Sequence, residues 1–449
     1  MAWERKVSRT LQVRNEQSIG QLAKLLQLIS DNGGNVGDIR MITETSQHVV
    51  RDITIYTDTL NQFEGILAAL EAVDGTVVVD VRDEVLQLHR KGKIAVRSRY
   101  PIDNMTTLRR VYTPGVAEVC MKIAEDPSLA RLYTSTSHMI AIVTDGTAVL
   151  GLGDIGPLAG MPVMEGKAML MESLVGLSGF PILLNTKDPD RIVDTVIAIA
   201  PTFAAIQLED ISAPRCFEIE ERLKAALDIP VLHDDQHGTA VVTTAALMVA
   251  AQRAGKDLEQ MQIGQIGLGA AGMATTRMLM GVTHHPVWGA DLNPQALQMF
   301  AKHGGKPSTL AEIMANCDVV ISTTGVPGLI QPEMVRQGQI ILALSNPKPE
   351  IEPEVAMAHG AAFAADGKSV NNVLGFPGIF RGAVDANARD ITEEMLIAAS
   401  VTIARLTKPG ELVPNPLDKD VHKAVAKAVA LKAFEQGVAR ADYVAYLEE

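Results

Sequence analysis

The chain reads as an α/β protein in successive parts, and three observations predict it. The first is alternating strand-like and helix-like periodicity over residues 1–85, in the order βαββαβ. The second is a pair of acidic motifs, Leu208-Glu209-Asp210-Ile211-Ser212 and His233-Asp234-Asp235-Gln236-His237-Gly238-Thr239, each closing a short apolar run. The third is Gly267-x-Gly269-x-x-Gly272, which follows a strand-like run, opens a helix-like one and heads a series of further strand-like runs. The expected order is a βαββαβ domain over residues 1–85 and an α/β domain over 86–239. A doubly wound Rossmann-type domain over 240–392 and a helical segment over 393–449 follow.

In the first domain, Thr10 to Val13 is strand-like. From Ile19 to Ile29, residues Ile19, Leu22, Leu25, Leu26 and Ile29 fall at helical spacing, and Asn32-Gly33-Gly34 ends that helix. Val36 to Thr43 and Val49 to Thr57 read as strands around a turn at Thr45 to His48. Phe63 to Val73 is helical, with Phe63, Ile66, Leu67 and Leu70 on one face; Asp74-Gly75 then turns the chain into a last strand, Thr76 to Val81. This is a split-βαβ sandwich. The basic connector His89 to Arg99 follows, and its default reading is a solvated linker.

In the second domain, Thr202 to Leu208 and Ile229 to Leu232 read as strands, so the acidic motifs at their ends would face one cleft. Carboxylates held together repel one another unless a cation lies between them, and hard oxygen ligands in that arrangement suit Mg²⁺ or Mn²⁺. For either motif alone, a solvated loop end is the competing reading. Cys216 and His233 read as a core thiol and a loop residue.

In the third domain the glycines permit a tight turn and the close approach of a pyrophosphate to the N-terminus of a helix over Met273 to Met280. Asp291 ends the next strand, about 20 residues on, where a ribose-binding acid belongs. There it favours NAD over NADP, by accepting from a 2′-hydroxyl and repelling a 2′-phosphate; it also suits a turn before Asn293-Pro294. The strands are Gln262 to Ile266, Pro286 to Gly289, Val319 to Ser322, Gln339 to Leu344 and Ala362 to Ala365. A second glycine match, Gly151-x-Gly153-x-x-Gly156, is followed by Pro157, Gly160 and Pro162, so no helix is expected to start there and the segment reads as a turn lining a cleft. Glu393 to Glu449 reads as helical, broken at Pro409, Pro414 and Pro416. A metal and a nicotinamide together imply metal-assisted hydride transfer.

Composition limits the alternatives. A chain of 449 residues exceeds what one core fills, since cores stop growing near ~250–300 residues. A net charge of −13 argues against nucleic acid or an anionic membrane as partner. No apolar run approaches the ~18–20 residues of a membrane span; the longest, Ala240 to Ala251, contains Thr243 and Thr244 and reads as a buried helix. Met1 to Thr10 is charged and lacks the apolar stretch of a signal peptide. Cys120, Cys216 and Cys317 are scattered, which fits a reducing, cytoplasmic setting and neither a disulfide framework nor a zinc site.

Further motifs complete the set: Arg110-Val111-Tyr112-Thr113-Pro114-Gly115-Val116-Ala117, Leu150-Gly151-Leu152-Gly153-Asp154-Ile155-Gly156, Met164-Glu165-Gly166-Lys167-Ala168, Leu344-Ser345-Asn346-Pro347 and Asn371-Asn372-Val373-Leu374-Gly375-Phe376-Pro377-Gly378. Together with the acidic pair they resemble a malic enzyme of the compact bacterial type, over roughly Tyr100 to Thr402. The first domain, with Gly20-Gln21-Leu22 and Asn32-Gly33-Gly34-Asn35-Val36, resembles an ACT domain. That resemblance implies either a small effector bound near the turn Asn15 to Gly20 or a domain kept for dimerisation; a homo-oligomer is expected.

The resemblance implies oxidative decarboxylation of (S)-malate to pyruvate and CO₂, with NAD⁺ reduced and NADP⁺ the alternative. The enzymatic rival is a malolactic-type or oxaloacetate-decarboxylating reaction at the same site; the rival of another class is a non-catalytic regulatory protein. By resemblance, Tyr112 is the catalytic tyrosine, Lys167 the catalytic lysine and Asp234 the acid that pairs with it. Glu209, Asp210 and Asp235 match the metal ligands, and Asn346 with Asn371 or, preferred, Asn372 the substrate-binding asparagines. Lys167 would take the C2 hydroxyl proton, which requires burial or nearby positive charge to lower its pKa, and Tyr112 would protonate C3. Many larger malic enzymes carry an arginine just before the Leu-Gly-Leu-Gly turn; here Thr147, Ala148 and Val149 stand there. Another cation, or backbone N–H groups with asparagine side chains, must then hold that malate carboxylate.

Overall fold

The computed structural model describes residues 7–149, 151–443 and 446. Residues 1–6, Leu150 of the glycine-turn motif, and residues 444–445 and 447–449 of the C-terminal segment lie outside the described residues. The chain divides into two compact units, Met1–Ala95 and Val96–Glu449.

The first unit has the expected order: β1 (Val7–Glu16), a helix (Gln21–Asp31), β2 (Asn35–Glu44), β3 (His48–Thr57), a helix (Leu60–Glu71) and β4 (Thr76–Asp83). All pairings are antiparallel, in the order β2-β3-β1-β4. Alternation decides the faces. Leu11, Val13, Ile53 and Ile55 point to the helices, where Leu25, Ile29, Phe63, Ile66 and Leu70 close the core. The opposite face carries polar pairs, with Gln12 Nε2 donating to Asp52 at 3.2 Å and Arg82 paired to Asp52 at 2.5 Å. Ile19 does not join the apolar helical face: Gly20 adopts a left-handed φ of 87°, the helix begins at Gln21, and Ile19 is left exposed.

The second unit holds two parallel sheets. The first consists of β5 (Met139–Thr144), β6 (Ser178–Leu183), β7 (Ala205–Leu208) and β8 (Val231–His233), ordered β6-β5-β7-β8. The second runs β9 (Ile263–Ile266), β10 (Trp288–Ala290), β11 (Lys306–Pro307), β12 (Val319–Ser322), β13 (Ile340–Ala343) and β14 (Phe363–Asp366). Its order, β11-β10-β9-β12-β13-β14, reverses direction beside β9, and ligands of open α/β sheets bind at such a switch point. One unbroken helix, Asp234–Arg253, leads from β8 toward this sheet, and its Leu247, Ala250 and Ala251 pack with Ile263, Val319 and Ile340. It starts at Asp234 rather than near Ala240, because Asp234 and Asp235 in its first turn complement the positive end of the helix dipole. Helices Glu393–Leu406 and Lys419–Glu435 follow; the first packs on Asp234–Arg253 and the second on Phe376–Asp385. Among the described residues, no helix is long and apolar enough to cross a membrane.

The expectation that no helix starts after the Gly151 turn is overturned. A 19-residue helix, Pro157–Val175, starts directly after Gly156. Pro157 occupies its first position, where no N–H is required and a fixed φ suits the helix, so proline favours the start instead of forbidding it. Pro162 costs one internal hydrogen bond, which the remaining turns tolerate. The Gly151 turn is still not a dinucleotide turn, for a different reason: it does not leave a strand directly. Residues 145–150 separate it from β5, and Ile155 and Gly156 N–H groups close it onto the Gly146 carbonyl at 3.2 and 3.1 Å.

Candidate active site

In the register of β7 and β8, Leu208 stands opposite His233. Glu209-Asp210 and Asp234-Asp235 therefore leave the sheet side by side at its carboxyl edge. The helix Pro157–Val175 brings Lys167 to them from a distant stretch of sequence. Lys167 Nζ lies 2.9 Å from Glu209 Oε1, donates a short hydrogen bond to Asp234 Oδ2, and stands 4.6 Å from the centre of the buried Phe376 ring. Asn372 Nδ2 also donates to Asp234 Oδ2, at 2.8 Å, whereas the Asn371 side chain accepts from Val373 N and caps a short turn. Of the two asparagines, the fold thus brings Asn372 to the cluster.

Glu209, Asp210 and Asp235 each place a carboxylate oxygen within 4.8 Å of the others. Asp210 Oδ2 is buried with no hydrogen-bond partner, while Gln207 Nε2 secures Glu209 Oε2 at 2.6 Å. Three converging carboxylates with an unpartnered buried oxygen fit a hard divalent cation. Asp210 has a φ of 54°, a left-handed conformation that costs a non-glycine residue roughly 1–3 kcal/mol. Its carbonyl accepts from Thr147 N and Ala148 N at 3.1 and 2.9 Å, and its own N–H donates to Asp235 Oδ2 at 2.8 Å. Those Thr147 and Ala148 N–H groups are consequently engaged within the protein. The Arg215 guanidinium lies at the same stretch, with Nη2 3.0 Å from Thr147 Oγ1 and 3.2 Å from Asp145 Oδ2.

The electrostatics follow from crowding. Burial opposes the Lys167 charge, but Asp234 and Glu209 outweigh it and raise its pKa. Burial raises Glu209 and Asp234 despite Lys167, and burial with the neighbouring Asp235 charge lifts Asp210 to about 7. Burial would raise Asp235 too, yet contact with His233 holds it below the usual range. His233 is therefore not the loop residue expected: it ends β8, is fully buried, and places Nε2 3.1 Å from Asp235 Oδ2, though not in straight hydrogen-bond alignment. Cys216 is buried in the core, as expected. Glu220, which no motif marks, accepts from His233 N at 3.0 Å and Gln236 Nε2 at 2.9 Å, with His237 Nε2 at 3.0 Å. Burial would raise its pKa, but His237 pulls it down to about 2. A signal for it was present: Glu220 falls one helical turn from both Cys216 and Leu223, on the face that is buried.

At the other sheet, Gly267 follows β9 with a φ of 89°, and Gly269 caps the helix Ala270–Thr283. A Cβ on Gly272 would overlap the Gly267 carbonyl oxygen, so only glycine closes this turn. Asp291 Oδ2 accepts from Leu268 N at 2.7 Å and Oδ1 from Asn293 N at 2.8 Å. It therefore braces the glycine turn and the following turn, and its carboxylate retains acceptor capacity for a ribose hydroxyl. The loop after β13 carries Asn346, whose Nδ2 packs against Gly367; Pro347 faces the Gly151 turn, with Cδ 4.0 Å from where a Gly151 Cβ would stand. Tyr112 ends the helix Met105–Val111 with 66% of its surface exposed, and no hydrogen bond or ion pair among the described residues joins it to the cluster.

A buried carboxylate cluster on the same chain as a Rossmann-type sheet suits an oxidoreductase that uses a dinucleotide. Comparison with known proteins gives the family. Residues 91–224 match the malic enzyme N-terminal domain, and residues 290–436 match the malic enzyme NAD binding domain. NAD-dependent malic enzyme 1 of Bacillus subtilis is 53% identical over 423 residues, spanning 94% of this chain and 96% of that protein. The bifunctional malic/malolactic enzyme of the same organism is 45% identical, over 81% of this chain and 95% of that one. The crystal structure of malic enzyme from Pyrococcus horikoshii superposes with a TM-score of 0.76 at 41% identity, covering 80% of this chain and 92% of that one. The chain belongs to the malic enzyme family.

Proposed function

We propose that the chain oxidatively decarboxylates (S)-malate to pyruvate and CO₂ with NAD⁺ as the preferred acceptor. The observation that carries this reading is Lys167, buried between Glu209 and Asp234 beside the Glu209–Asp210–Asp235 carboxylates. When held by those three carboxylates, a Mg²⁺ or Mn²⁺ ion supplies a Lewis acid for the malate C2 oxygen and positive charge that lowers the pKa of Lys167. Lys167 Nζ takes the proton of the C2 hydroxyl as hydride leaves C2. Asp234, gripped by Asn372, orients the lysine. Asn346 and Asn372 bind the substrate, and Tyr112 is the group that returns a proton to C3. Asp291 disfavours a 2′-phosphate and so supports NAD⁺ over NADP⁺.

An initial-rate panel tests this. With malate, NAD⁺ and Mn²⁺, absorbance at 340 nm should rise steadily. EDTA should abolish the rise and Mn²⁺ restore it, and NADP⁺ should give a lower kcat/KM. Lactate without net NADH would support the malolactic rival; no turnover of malate or oxaloacetate under any condition would leave the non-catalytic reading.

The sheet order of the first unit supports an ACT-like regulatory domain. It contains a pocket of about 590 Å³ whose wall includes Asn15, Gln17, Ser18, Glu44 and Arg51, with Arg51 Nη1 donating to Asn15 Oδ1 at 2.9 Å. One arginine together with the Glu16 and Glu44 carboxylates and amide groups suits a zwitterion such as an amino acid. In the second unit, exposed apolar residues Tyr100, Ile102, Met105, Tyr112, Met121 and Leu132 suit burial against a second copy. A chain beginning at Val96 should still oxidise malate and lose any response to amino acids or small carboxylates. If the full chain responds to none of them, and light scattering shows the shortened chain in smaller particles, the first unit serves assembly alone.

A further inference from the structure

Glu350 is fully buried and lies outside the catalytic cluster. Among the described residues its carboxylate meets no cation. It is held by neutral donors: Thr324 N at 2.7 Å, Thr324 Oγ1 at 2.8 Å and Ser345 Oγ at 2.5 Å on Oε1, and Ser345 N at 3.3 Å on Oε2. Burial would raise its pKa, yet these donors hold it below the usual range, so the charge is retained. A buried carboxylate without a counter-ion is costly unless several donors satisfy it. A neutral side chain would cap one loop at less cost; convergence of donors from two loops is what a carboxylate achieves.

Thr324 follows β12, and Ser345 follows β13, its neighbour in the sheet. The first loop leans on the dinucleotide turn: Gln265 Nε2 donates to both Thr323 Oγ1 at 2.9 Å and the Gly267 carbonyl at 3.1 Å. The second loop carries Asn346 immediately after Ser345. The loops also meet directly, Gly325 N donating to Ser345 Oγ at 2.7 Å. Glu350 is thus the joint in a path of hydrogen bonds, passing through the Thr323–Thr324 peptide, from Gly267 to the residue next to Asn346.

We propose that Glu350 is a positioning residue for the malate reaction, tying the loop on the dinucleotide turn to the loop of Asn346 and so setting where Asn346 stands relative to the cofactor. This rests on the assignment of Asn346 to the substrate. Glu350→Gln conserves shape and the Oε1 acceptor, but turns an N–H₂ toward Ser345 N–H, where no acceptor remains. The Asn346 loop should shift while the glycine turn, held by its own bonds, stays in place.

A double-mutant cycle on the full chain tests it, with Glu350→Gln, Asn346→Ala and the pair. At saturating NAD⁺, Glu350→Gln should raise the malate KM about tenfold with a smaller change in kcat, and leave the NAD⁺ dissociation constant within about twofold. In the Asn346→Ala background the same substitution should change KM by less than about twofold, because the group it positions is gone. Equal effects in both backgrounds, or a lowered melting temperature with unaltered KM, would make Glu350 a brace of the fold only. If Asn346→Ala alone leaves KM unaltered, Asn346 leaves the substrate site and the proposal falls with it. Should Glu350→Gln not fold, Ser345→Ala, which deletes one donor, is expected to show the same background dependence, and additivity there refutes the proposal equally.

Discussion

Lys167→Ala is expected to lower malate oxidation by ~10²–10⁴-fold, the usual cost of removing a general base. NAD⁺ binding should persist, because the glycine turn at Gly267 makes no hydrogen bond or ion pair with Lys167 among the described residues. A second effect accompanies the first. Lys167 is the cation that both Glu209 and Asp234 contact, and all three side chains are buried. Removing one partner of a buried ion pair typically costs about 3–5 kcal/mol, since the remaining charge is left without compensation. Added Mn²⁺ should restore part of that stability by supplying positive charge to the carboxylates, without restoring turnover. Steady-state kinetics, nucleotide titration and urea unfolding with and without Mn²⁺ measure the three quantities. A fall in kcat of less than about tenfold would remove Lys167 from the role of base.

Gly238→Ala should be nearly as damaging, against what helix propensity alone suggests. Gly238 lies within the helix Asp234–Arg253, where alanine is ordinarily favoured over glycine by about 0.5–1 kcal/mol. Here a Cβ would overlap Asp234 Oδ1 and come 2.9 Å from Asp234 Cγ. The Asp234 carboxylate would have to swing away from both Lys167 and Asn372, the two groups it now holds. Such a displacement of an orienting group is expected to lower kcat by about 10²-fold, with little change in the NAD⁺ dissociation constant. A variant that is more stable than the parent and equally active would show that Asp234 is not needed where it stands.

The parts legible in the sequence were those set by neighbours in the chain. β12 runs over Val319–Ser322 as the apolar run indicates, because a short buried parallel strand is a continuous apolar segment. The glycine turn was legible because its steric demand lies within six residues, Gly272 against Gly267. Glu209, Asp210, Asp234 and Asp235 were legible as strand-end acids. Where local rules compete, the pattern misleads: Pro157 resembles a breaker, yet at the first position of a helix it is a starter.

The sequence by itself thus determined the βαββαβ order, the dinucleotide turn and the acid pairs at two strand ends, since periodicity, spacing and turn chemistry act over a few residues. Only the tertiary structure decided what those acids meet. The parallel register of β7 and β8 sets the two acid pairs side by side, 25 residues apart in the chain between Asp210 and Asp235. Lys167 reaches Asp234 across 67 positions and Asn372 reaches Asp234 across 138, distances over which no local pattern carries information. The same holds for Glu350, whose role depends on β12 and β13 being neighbours, and for Tyr112, which the chain leaves on an exposed surface. Burial, charge compensation and hydrogen-bond satisfaction are properties of the packed chain, and they selected which of the polar residues became the site.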